Sequence, residues 1–265
     1  MSRYLFDNKH DSTPDRFSIL ETTYDPFSRR RLEATGLAPG WRCLEVGGGG
    51  GSLGDWLAER VGPAGEVTVT DLEPRWAESR PHASNLRLLR HDIVRDPLPG
   101  GDYDLVHARL VLLHLPERLA VLDRLVDALR PGGRLVLDEF DCSWMPVLAA
   151  PDESAVALFQ RVQSALLAEL EKAGADPVWG RRTLAAMARA GLGELTAQTY
   201  AEAWQGGGAG IDFHRVNMRQ AAEGLREQGV TDEELGRFYA LLKDPGFVVN
   251  SYALISCQGR RPLRT

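Results

Sequence analysis

Two acidic residues and the glycine run between them are the residues of this chain best suited to chemistry. The run Gly47–Gly51 comes just after Glu45, and Asp71 lies about twenty residues beyond it. Glycine permits positive backbone φ angles and lets the main chain come close to a ligand. A carboxylate at this distance from such a loop can accept hydrogen bonds from ribose hydroxyls. The spacing therefore predicts a binding site for a nucleoside cofactor.

Alternating apolar and amphipathic segments place these residues between residues 41 and 141. A helix predicted at 52–61 would direct its free N–H groups toward an anionic part of the ligand. A second helix, at 116–129, has leucines on one face and ends at Arg130-Pro131-Gly132-Gly133. Such βα units indicate a parallel sheet with helices on both faces. The predicted strands are 41–46, 66–71, 86–91, 103–108 and 134–140.

The segments outside this region are mostly helical in pattern. Residues 1–36 carry apolar side chains every three or four positions, including Leu20 and Tyr24, as one helix face requires. Residues 205–210 are glycine-rich and are predicted to be a surface loop. Thr231-Asp232-Glu233-Glu234 matches a capping box. Further helices are predicted at 152–172, 181–190, 213–228 and after Thr231, with strands at 195–200 and 248–257.

Composition limits the function further. The chain has 265 residues, 43% of them hydrophobic and 26% charged, with a formal net charge of −6. Without a long basic run, a nucleic-acid partner is disfavoured. No apolar stretch is long enough for a bilayer or resembles a signal peptide, so a cytoplasmic protein with no membrane partner is predicted. The three cysteines form no CxxC pair, so neither a zinc site nor a disulfide framework is indicated.

Three further motifs follow the glycine loop in a fixed order. Asp92 follows the third strand, the run 103–115 contains His107 and His114, and a Pro-Gly-Gly turn precedes the fifth strand. With Glu45 and Asp71, these motifs resemble the class I S-adenosylmethionine-dependent methyltransferases over roughly residues 41–141. A segment such as Asn-Pro-Pro-Tyr is absent after the fourth strand, which argues against amino-directed methylation of DNA or of protein glutamine.

The resemblance implies an α/β fold of doubly wound, Rossmann-like type. Its sheet would have seven strands, mostly parallel with an antiparallel last strand, and helical lid insertions. The implied organisation is an N-terminal helical lid at 1–36, a cofactor-binding core at 37–141, substrate-covering insertions at 142–247 and a last strand with the C-terminus at 248–265. One further sheet strand is expected near 195–200.

The resemblance also assigns roles around S-adenosylmethionine and its product S-adenosylhomocysteine. Glu45 would lie near the cofactor's amino group, directly or through water, Asp71 would bind the ribose hydroxyls and Asp92 would accept from the adenine amino group. The glycines would bring the backbone close to the cofactor. Tyr4 or Arg16 would contact the cofactor carboxylate. The implied cofactor-binding residues are Glu45, Gly47, Gly49, Gly51, Asp71, Leu72, Asp92, Ile93, Ala108, Arg109 and His114, with no metal ligands.

A general base could assist an acidic acceptor, and the candidates come from the strand ends and the lid. They are His107, His114, His214, Glu139 and Asp141. Imidazole suits the role because its ordinary pKa lies near neutrality. His114 and Glu139 are the predicted catalytic residues.

The leading hypothesis is a methyltransferase acting on an oxygen, nitrogen or carbon nucleophile of a small-molecule, secondary-metabolite-like substrate. A nicotinamide-dependent oxidoreductase is the first alternative, because Tyr239 and Lys243 have Tyr-x-x-x-Lys spacing. A cofactor-binding protein or cyclase of the same fold, without methyl transfer, is the second. The identity of the acceptor stays open. The oligomeric state also stays open, with a homodimer as one option.

Overall fold

The computed structural model describes residues 13–263, and a seven-stranded sheet forms its centre. The strands are β1 (Arg42–Val46), β2 (Glu66–Asp71), β3 (Leu86–Arg90), β4 (Tyr103–Arg109), β5 (Leu129–Asp141), β6 (Val147–Ala149), β7 (Gly193–Tyr200), β8 (Ala203–Gln205), β9 (Val248–Asn250) and β10 (Ala253–Arg260). The order in the main sheet is β3-β2-β1-β4-β5-β10-β7. Strand β10 runs antiparallel to both β5 and β7, and β1 to β5 pair in parallel. The predicted fold class is thereby confirmed.

A small second sheet, in the order β6-β9-β8, was not predicted. The prediction of a single strand at 248–257 is wrong, because the chain leaves the small sheet at Ser251 and enters the main sheet at Ala253. The backbone N–H of Ser251 donates to Glu202 O (2.8 Å), which fixes this change of sheet. The 205–210 segment is also held in place, because the N–H of Gly206 donates to Phe247 O (2.8 Å).

The helices cover both faces of the main sheet and its carboxyl edge. The predicted helix at 213–228 is divided at Ala221, and the capping box at Thr231 is present with Glu234 as its partner. The helices are α1 (Thr13–Glu33), α2 (Ser52–Val61), α3 (Arg75–Glu78), α4 (Arg118–Ala128), α5 (Glu153–Lys172), α6 (Trp179–Arg189), α7 (Asp212–Gln220), α8 (Ala222–Glu227) and α9 (Asp232–Leu241).

Helix α1 lies over the carboxyl edge of the sheet, where the glycine run begins. Its apolar face buries Leu20, Tyr24 and Phe27 in the core, and burial of each such side chain stabilises the fold by roughly 1.5–3 kcal/mol. The Tyr24 hydroxyl donates to Tyr252 O (3.1 Å), so the helix is also tied to the segment before β10. This position makes α1 a wall of the site described next.

Candidate active site

The glycine loop connects β1 to α2 in a conformation that requires glycine at several positions. Gly47, Gly49 and Gly51 have φ angles of 71°, 55° and 89°, which a residue with a side chain rarely adopts. A Cβ at Gly47 would also collide with Val111 Cγ2. The N–H groups of Gly47 and Gly48 both donate to Thr70 O (2.7 and 3.1 Å), which holds the loop against β2. The loop therefore presents bare backbone to the space above it.

Asp71 ends β2 directly beside this loop. Its carboxylate accepts hydrogen bonds from the backbone N–H groups of Gly49 and Glu73, each at 2.9 Å. Burial raises the pKa of Asp71, and those N–H groups oppose the shift. Each oxygen keeps one further acceptor position, so the group can accept two hydroxyl hydrogen bonds without losing its support.

A cavity of about 290 Å³ lies above the loop and the ends of β1, β2 and β4. Apolar side chains form one part of its wall, and charged side chains from α1 and the strand ends form the rest. Leu72 is unusually exposed for a leucine, at 53%. The lining includes Arg16, Phe17, Leu20, Glu21, Val46, Gly47, Gly48, Gly49, Gly50, Thr70, Asp71, Leu72, Asp92, Ile93, Val94, Arg109, Leu110, Val111, His114 and Leu115.

The structure brings most of the sequence-predicted residues to this cavity. Asp92 and Ile93 lie on its wall, and the Asp92 carboxylate accepts from the N–H of Val94 (2.9 Å). Arg109 also lines it, whereas Ala108 is fully buried behind the wall and Gly51, at the start of α2, lies outside the lining.

Glu45 lies below the cavity, away from its lining. Its carboxylate is 3% exposed and lies 2.6 Å from Nδ1 of the fully buried His107. Nε2 of His107 lies 3.3 Å from Oδ2 of Asp138, so both ring nitrogens face carboxylates and the ring must carry two protons. Burial alone would lower the pKa of His107, but the charges and hydrogen bonds of Glu45 and Asp138 raise it to about 10. His107 is therefore a buried cation between two acids.

The same charged network reaches helix α1. The Ser28 hydroxyl donates to Asp138 Oδ2 (2.5 Å), and Arg109 forms a 2.8 Å ion pair with Asp25. Both α1 residues are buried. The helix that covers the cavity is thus tied to the ends of β4 and β5 by polar contacts as well as by its apolar face.

The two predicted catalytic residues occupy different environments. His114 lines the cavity, and burial together with the positive charges of Arg16 and Arg118 lowers its pKa to about 3. It is therefore a neutral imidazole at neutral pH and a weak base. Glu139 lies outside the lining; its carboxylate accepts from the N–H groups of Leu112 (2.8 Å) and Leu113 (3.3 Å). Burial raises the pKa of Glu139 to about 8, and those N–H groups oppose the shift.

The remaining sequence-predicted candidates are not part of the cavity lining. His214 is buried among aromatic rings, with Nδ1 2.7 Å from Gln163 Nε2. Asp141 pairs with Arg181. Tyr239 of the oxidoreductase alternative packs against Phe238 on α9. Tyr4 lies outside the described residues. Residues 13–263 contain no group of three or more His, Cys, Asp or Glu side chains placed to hold a metal ion.

The resemblance implied a helical lid with Arg16 near the cofactor, and Arg16 on α1 does line the cavity. Sequence reasoning missed two other α1 residues at this site. Phe17 lies against Gly49, and Glu21 lies against Gly50. The periodicity of α1 marked Phe17 as a core position, and no sequence signal distinguished Glu21 from a solvent-facing acid. Leu110, with φ 56°, was also missed; its N–H donates to Asp138 O (2.9 Å) as the chain turns into the cavity wall.

Comparison with known proteins gives one family and several relatives. Residues 44–135 match the family model described as a methyltransferase domain. Methyltransferase str2 of Strobilurus tenacellus is 30% identical over 169 residues, covering 63% of this chain and 58% of that protein. The ubiquinone/menaquinone biosynthesis C-methyltransferase UbiE of Cupriavidus necator is 32% identical over 130 residues, covering 46% of this chain and 52% of that enzyme. The chain spans about half the length of these curated relatives.

Solved structures share the fold at low sequence identity. The protein BH2331 of Bacillus halodurans C-125 superposes with a TM-score of 0.58 at 16% identity, covering 88% of this chain and 98% of that one. A SAM-dependent methyltransferase from Aquifex aeolicus gives a TM-score of 0.50 at 15% identity, covering 93% and 99%. In residues 13–263, no helix has the length and apolar character needed to cross a bilayer.

Proposed function

We propose that this chain, which belongs to the class I S-adenosylmethionine-dependent methyltransferases, transfers a methyl group from S-adenosylmethionine to a small molecule. The acceptor atom would be an oxygen, nitrogen or carbon nucleophile of a metabolite. A carbon acceptor has the support of the relatives that are named C-methyltransferases. The charge of −6 and the partly enclosed cavity favour a small acceptor over a nucleic acid.

The residues around the cavity fit the cofactor group by group. Gly47 and Gly49 form a backbone cradle that a side chain would fill, and Asp71 would accept from the ribose hydroxyls. Leu72, Ile93 and Val94 provide an apolar wall suited to the adenine, with Asp92 beside it for the exocyclic amino group. When bound, the cofactor supplies an electrophilic methyl on a sulfonium.

The protein's contribution to the reaction would be orientation and exclusion of water. In-line displacement needs the acceptor, the methyl carbon and the sulfur close to collinear, and good alignment contributes about 7–11 kcal/mol in favourable models. Helix α1 covers the glycine loop, and Val111, His114 and Leu115 form the wall next to it. We assign His114 as a neutral hydrogen-bonding contact for the acceptor, because an imidazole with a pKa of about 3 removes protons poorly.

Glu139 has a supporting role in this proposal. Its carboxylate holds the N–H groups at the start of the turn Leu112–His114, and that turn carries His114 to the cavity. We therefore treat Glu139 as a positioning residue for the cavity wall.

The observation that carries the proposal is the fixed carboxylate of Asp71 at the edge of the glycine loop. Asp71→Ala is expected to weaken binding of S-adenosylhomocysteine at least ten-fold, since hydrogen bonds to a charged group contribute roughly 1.5–3 kcal/mol each. Calorimetry would measure this, with Glu73→Ala as the matched control that keeps the backbone N–H. Unchanged affinity in Asp71→Ala would contradict the assignment of the ribose site.

The activity itself is tested with cofactor that carries an isotopically labelled methyl group. The purified chain is incubated with phenol, amine and acidic-carbon acceptors, and products are examined by mass spectrometry for a labelled methyl increment. A labelled product is the expected result. No heat of binding with either S-adenosylmethionine or S-adenosylhomocysteine would overturn the proposed function, and binding without transfer to any acceptor would favour a non-transferring member of the fold.

A further inference from the structure

The acid that precedes the glycine loop is already engaged within the protein. Glu45 is buried, lies 2.6 Å from Nδ1 of His107 and does not line the cavity. A carboxylate that is 3% exposed and lies outside the cavity lining is not placed to contact a ligand's ammonium in the cavity. The methionyl end of a bound cofactor, which is a zwitterion, therefore needs its negative partner from another residue.

In the described part of the chain, four acidic residues line the cavity. Three of them are poorly placed to bind the ammonium of the methionyl group. Asp71 and Asp92 lie along β2, β3 and their following turns, on the side suited to ribose and adenine. Glu117 lies at the exposed start of α4. The fourth, Glu21, extends from α1 and contacts Gly50, so that a Cβ on that glycine would collide with Glu21 Oε1.

The surroundings of Glu21 leave its carboxylate suited to a positively charged partner. Its carboxylate lies 3.8 Å from the Arg80 guanidinium, which also lies 3.5 Å from Asp55 and donates to Gly50 O at 3.0 Å. Arg109, the other arginine nearby, forms its close ion pair with Asp25 at 2.8 Å. Burial, and then the charge of Asp25, raise the pKa of Glu21, while Arg80, Arg109 and a hydrogen bond with Ser52 lower it. Because burial is the largest of these causes, a further cation placed beside the carboxylate would be favourable.

We propose that Glu21 binds the α-ammonium of the cofactor's methionyl group, as a cofactor-binding residue supplied by helix α1. This inference rests on the proposed function. It makes α1 a direct participant in binding, because the helix would place Glu21 over the glycine loop while its other contacts hold it to the sheet. It also moves to Glu21 the role that the sequence pattern gave to Glu45.

A purely structural role for Glu21 makes a different prediction. If Glu21 only braces the glycine loop through Arg80 and Gly50, its removal should weaken every ligand that touches the loop by a similar factor. If it binds the ammonium, removal should weaken only ligands that carry the ammonium. The ligand's amino group is therefore the variable that separates the two roles.

The experiment is calorimetry of wild type and Glu21→Gln with two ligands: S-adenosylhomocysteine and its analogue in which hydrogen replaces the α-amino group. We expect Glu21→Gln to weaken S-adenosylhomocysteine binding roughly ten- to hundred-fold and to change the affinity of the des-amino analogue less than about three-fold. Glu33→Gln, which removes a half-exposed acid of the same helix outside the cavity lining, is the matched control and is expected to leave both affinities unchanged. Thermal unfolding of each variant confirms that it is folded.

The outcomes separate failure of the Glu21 inference from failure of the proposed function. Equal weakening of both ligands in Glu21→Gln, or no change for either, overturns the inference and leaves the proposed function intact. Should Glu21→Gln fail to fold, Glu21→Asp takes its place: the wild type must prefer S-adenosylhomocysteine to the des-amino analogue, and Glu21→Asp must reduce that preference. An undiminished preference in Glu21→Asp would overturn the inference. Absence of binding by the wild type to either ligand would remove the proposed function, and with it this inference.

Discussion

At the scale of single residues, the buried charges below the cavity are arranged around His107. The imidazolium lies between Glu45 and Asp138, and Asp138 also accepts from Ser28 on α1. A buried charge is tolerated only with close partners. These contacts fix the last residues of β1 and β4, from which the glycine loop and the cavity wall begin. The network is thus a support for the site and does not face the ligand.

Replacing His107 should therefore be strongly destabilising. His107→Leu would leave two buried carboxylates without their cation, and loss of one partner of a buried ion pair costs roughly 3–5 kcal/mol. Denaturant unfolding would measure the free energy. The control is His82→Leu, which removes a more exposed histidine that pairs with Asp55 at 2.6 Å; a loss of roughly 1 kcal/mol or less is expected there. Similar losses in the two variants would contradict a special role for the buried network.

The same histidine predicts how stability depends on pH. Its pKa is raised from 6.5 to about 10 in the fold, so between these values the folded state binds the proton more tightly than the unfolded state. The contribution of His107 to stability is therefore complete below about pH 6.5 and declines as pH rises toward 10. Urea unfolding of Glu139→Gln should show this decline, because the substitution removes a carboxyl whose pKa is raised to about 8 and whose titration falls in the same pH range. Nitrogen NMR should find the His107 ring doubly protonated at pH 8; a singly protonated ring at that pH would refute it.

What the sequence could not reveal about these residues was which side chains are neighbours across strands. Glu45 pairs in register with His107 on β4, and that pairing depends on the alignment of two segments about sixty residues apart. Asp71 was predicted to lie at the site because its position at a strand end follows from local pattern alone. The burial of Glu45, and the exposure of Glu21 to the cavity, depend on tertiary packing that the pattern does not contain.

At the scale of elements, the glycine loop is shaped by both conformation and space. Gly47 combines a φ of 71° with a backbone position that Val111 closes to any side chain. A Cβ at Gly36, which has a φ of 86°, would have no atom within 4 Å apart from those of its neighbours in the chain. The two glycines therefore share the conformational requirement and differ in the steric one.

This pair provides a controlled test of the loop. Gly36→Ala should cost about 1 kcal/mol from the left-handed conformation alone, whereas Gly47→Ala should cost more and should also weaken S-adenosylhomocysteine binding at least ten-fold. The second effect is expected because relief of the collision must move either the loop or the Val111 wall of the cavity. Denaturant unfolding and calorimetry on both variants measure the two effects. Equal affinity in Gly47→Ala and Gly36→Ala would show that the loop conformation tolerates a side chain.

The elements also show where pattern predicts structure and where it does not. Strands β1 to β4 and helix α2 were predicted closely, because long apolar runs and glycine or proline boundaries are local signals. Strands β6, β8 and β9 have three residues each, too few for a period of two to stand out. The prediction of one strand at 248–257 failed because its apolar residues continue through the change of sheet at Ser251 and Tyr252.

At the scale of the whole molecule, α1 connects parts that are distant in sequence. It contacts the glycine loop through Phe17 and Glu21, the strand ends through Ser28 and Asp25, and the segment before β10 through Tyr24. A ligand that binds between α1 and the glycine loop would therefore stabilise the position of a helix that also contacts the segment before β10. The small sheet of β6, β9 and β8 is absent from the cavity lining and has no such link to a ligand.

Because α1 lines the cavity and the small sheet does not, a bound ligand should protect the two regions differently from hydrogen exchange. A ligand that binds only the folded state stabilises it by about 2.7 kcal/mol at a hundred times its Kd, and amides that exchange by local opening at the site are protected most. With S-adenosylhomocysteine, peptides covering residues 13–24 and 46–54 should exchange more slowly at short times, and those covering β8 and β9 should not change. Mass spectrometry follows both sets, with Asp71→Ala as the variant in which the ligand effect should disappear. If protection spread equally to β8 and β9, or were missing from α1, the helix could not be acting as a wall of the binding site.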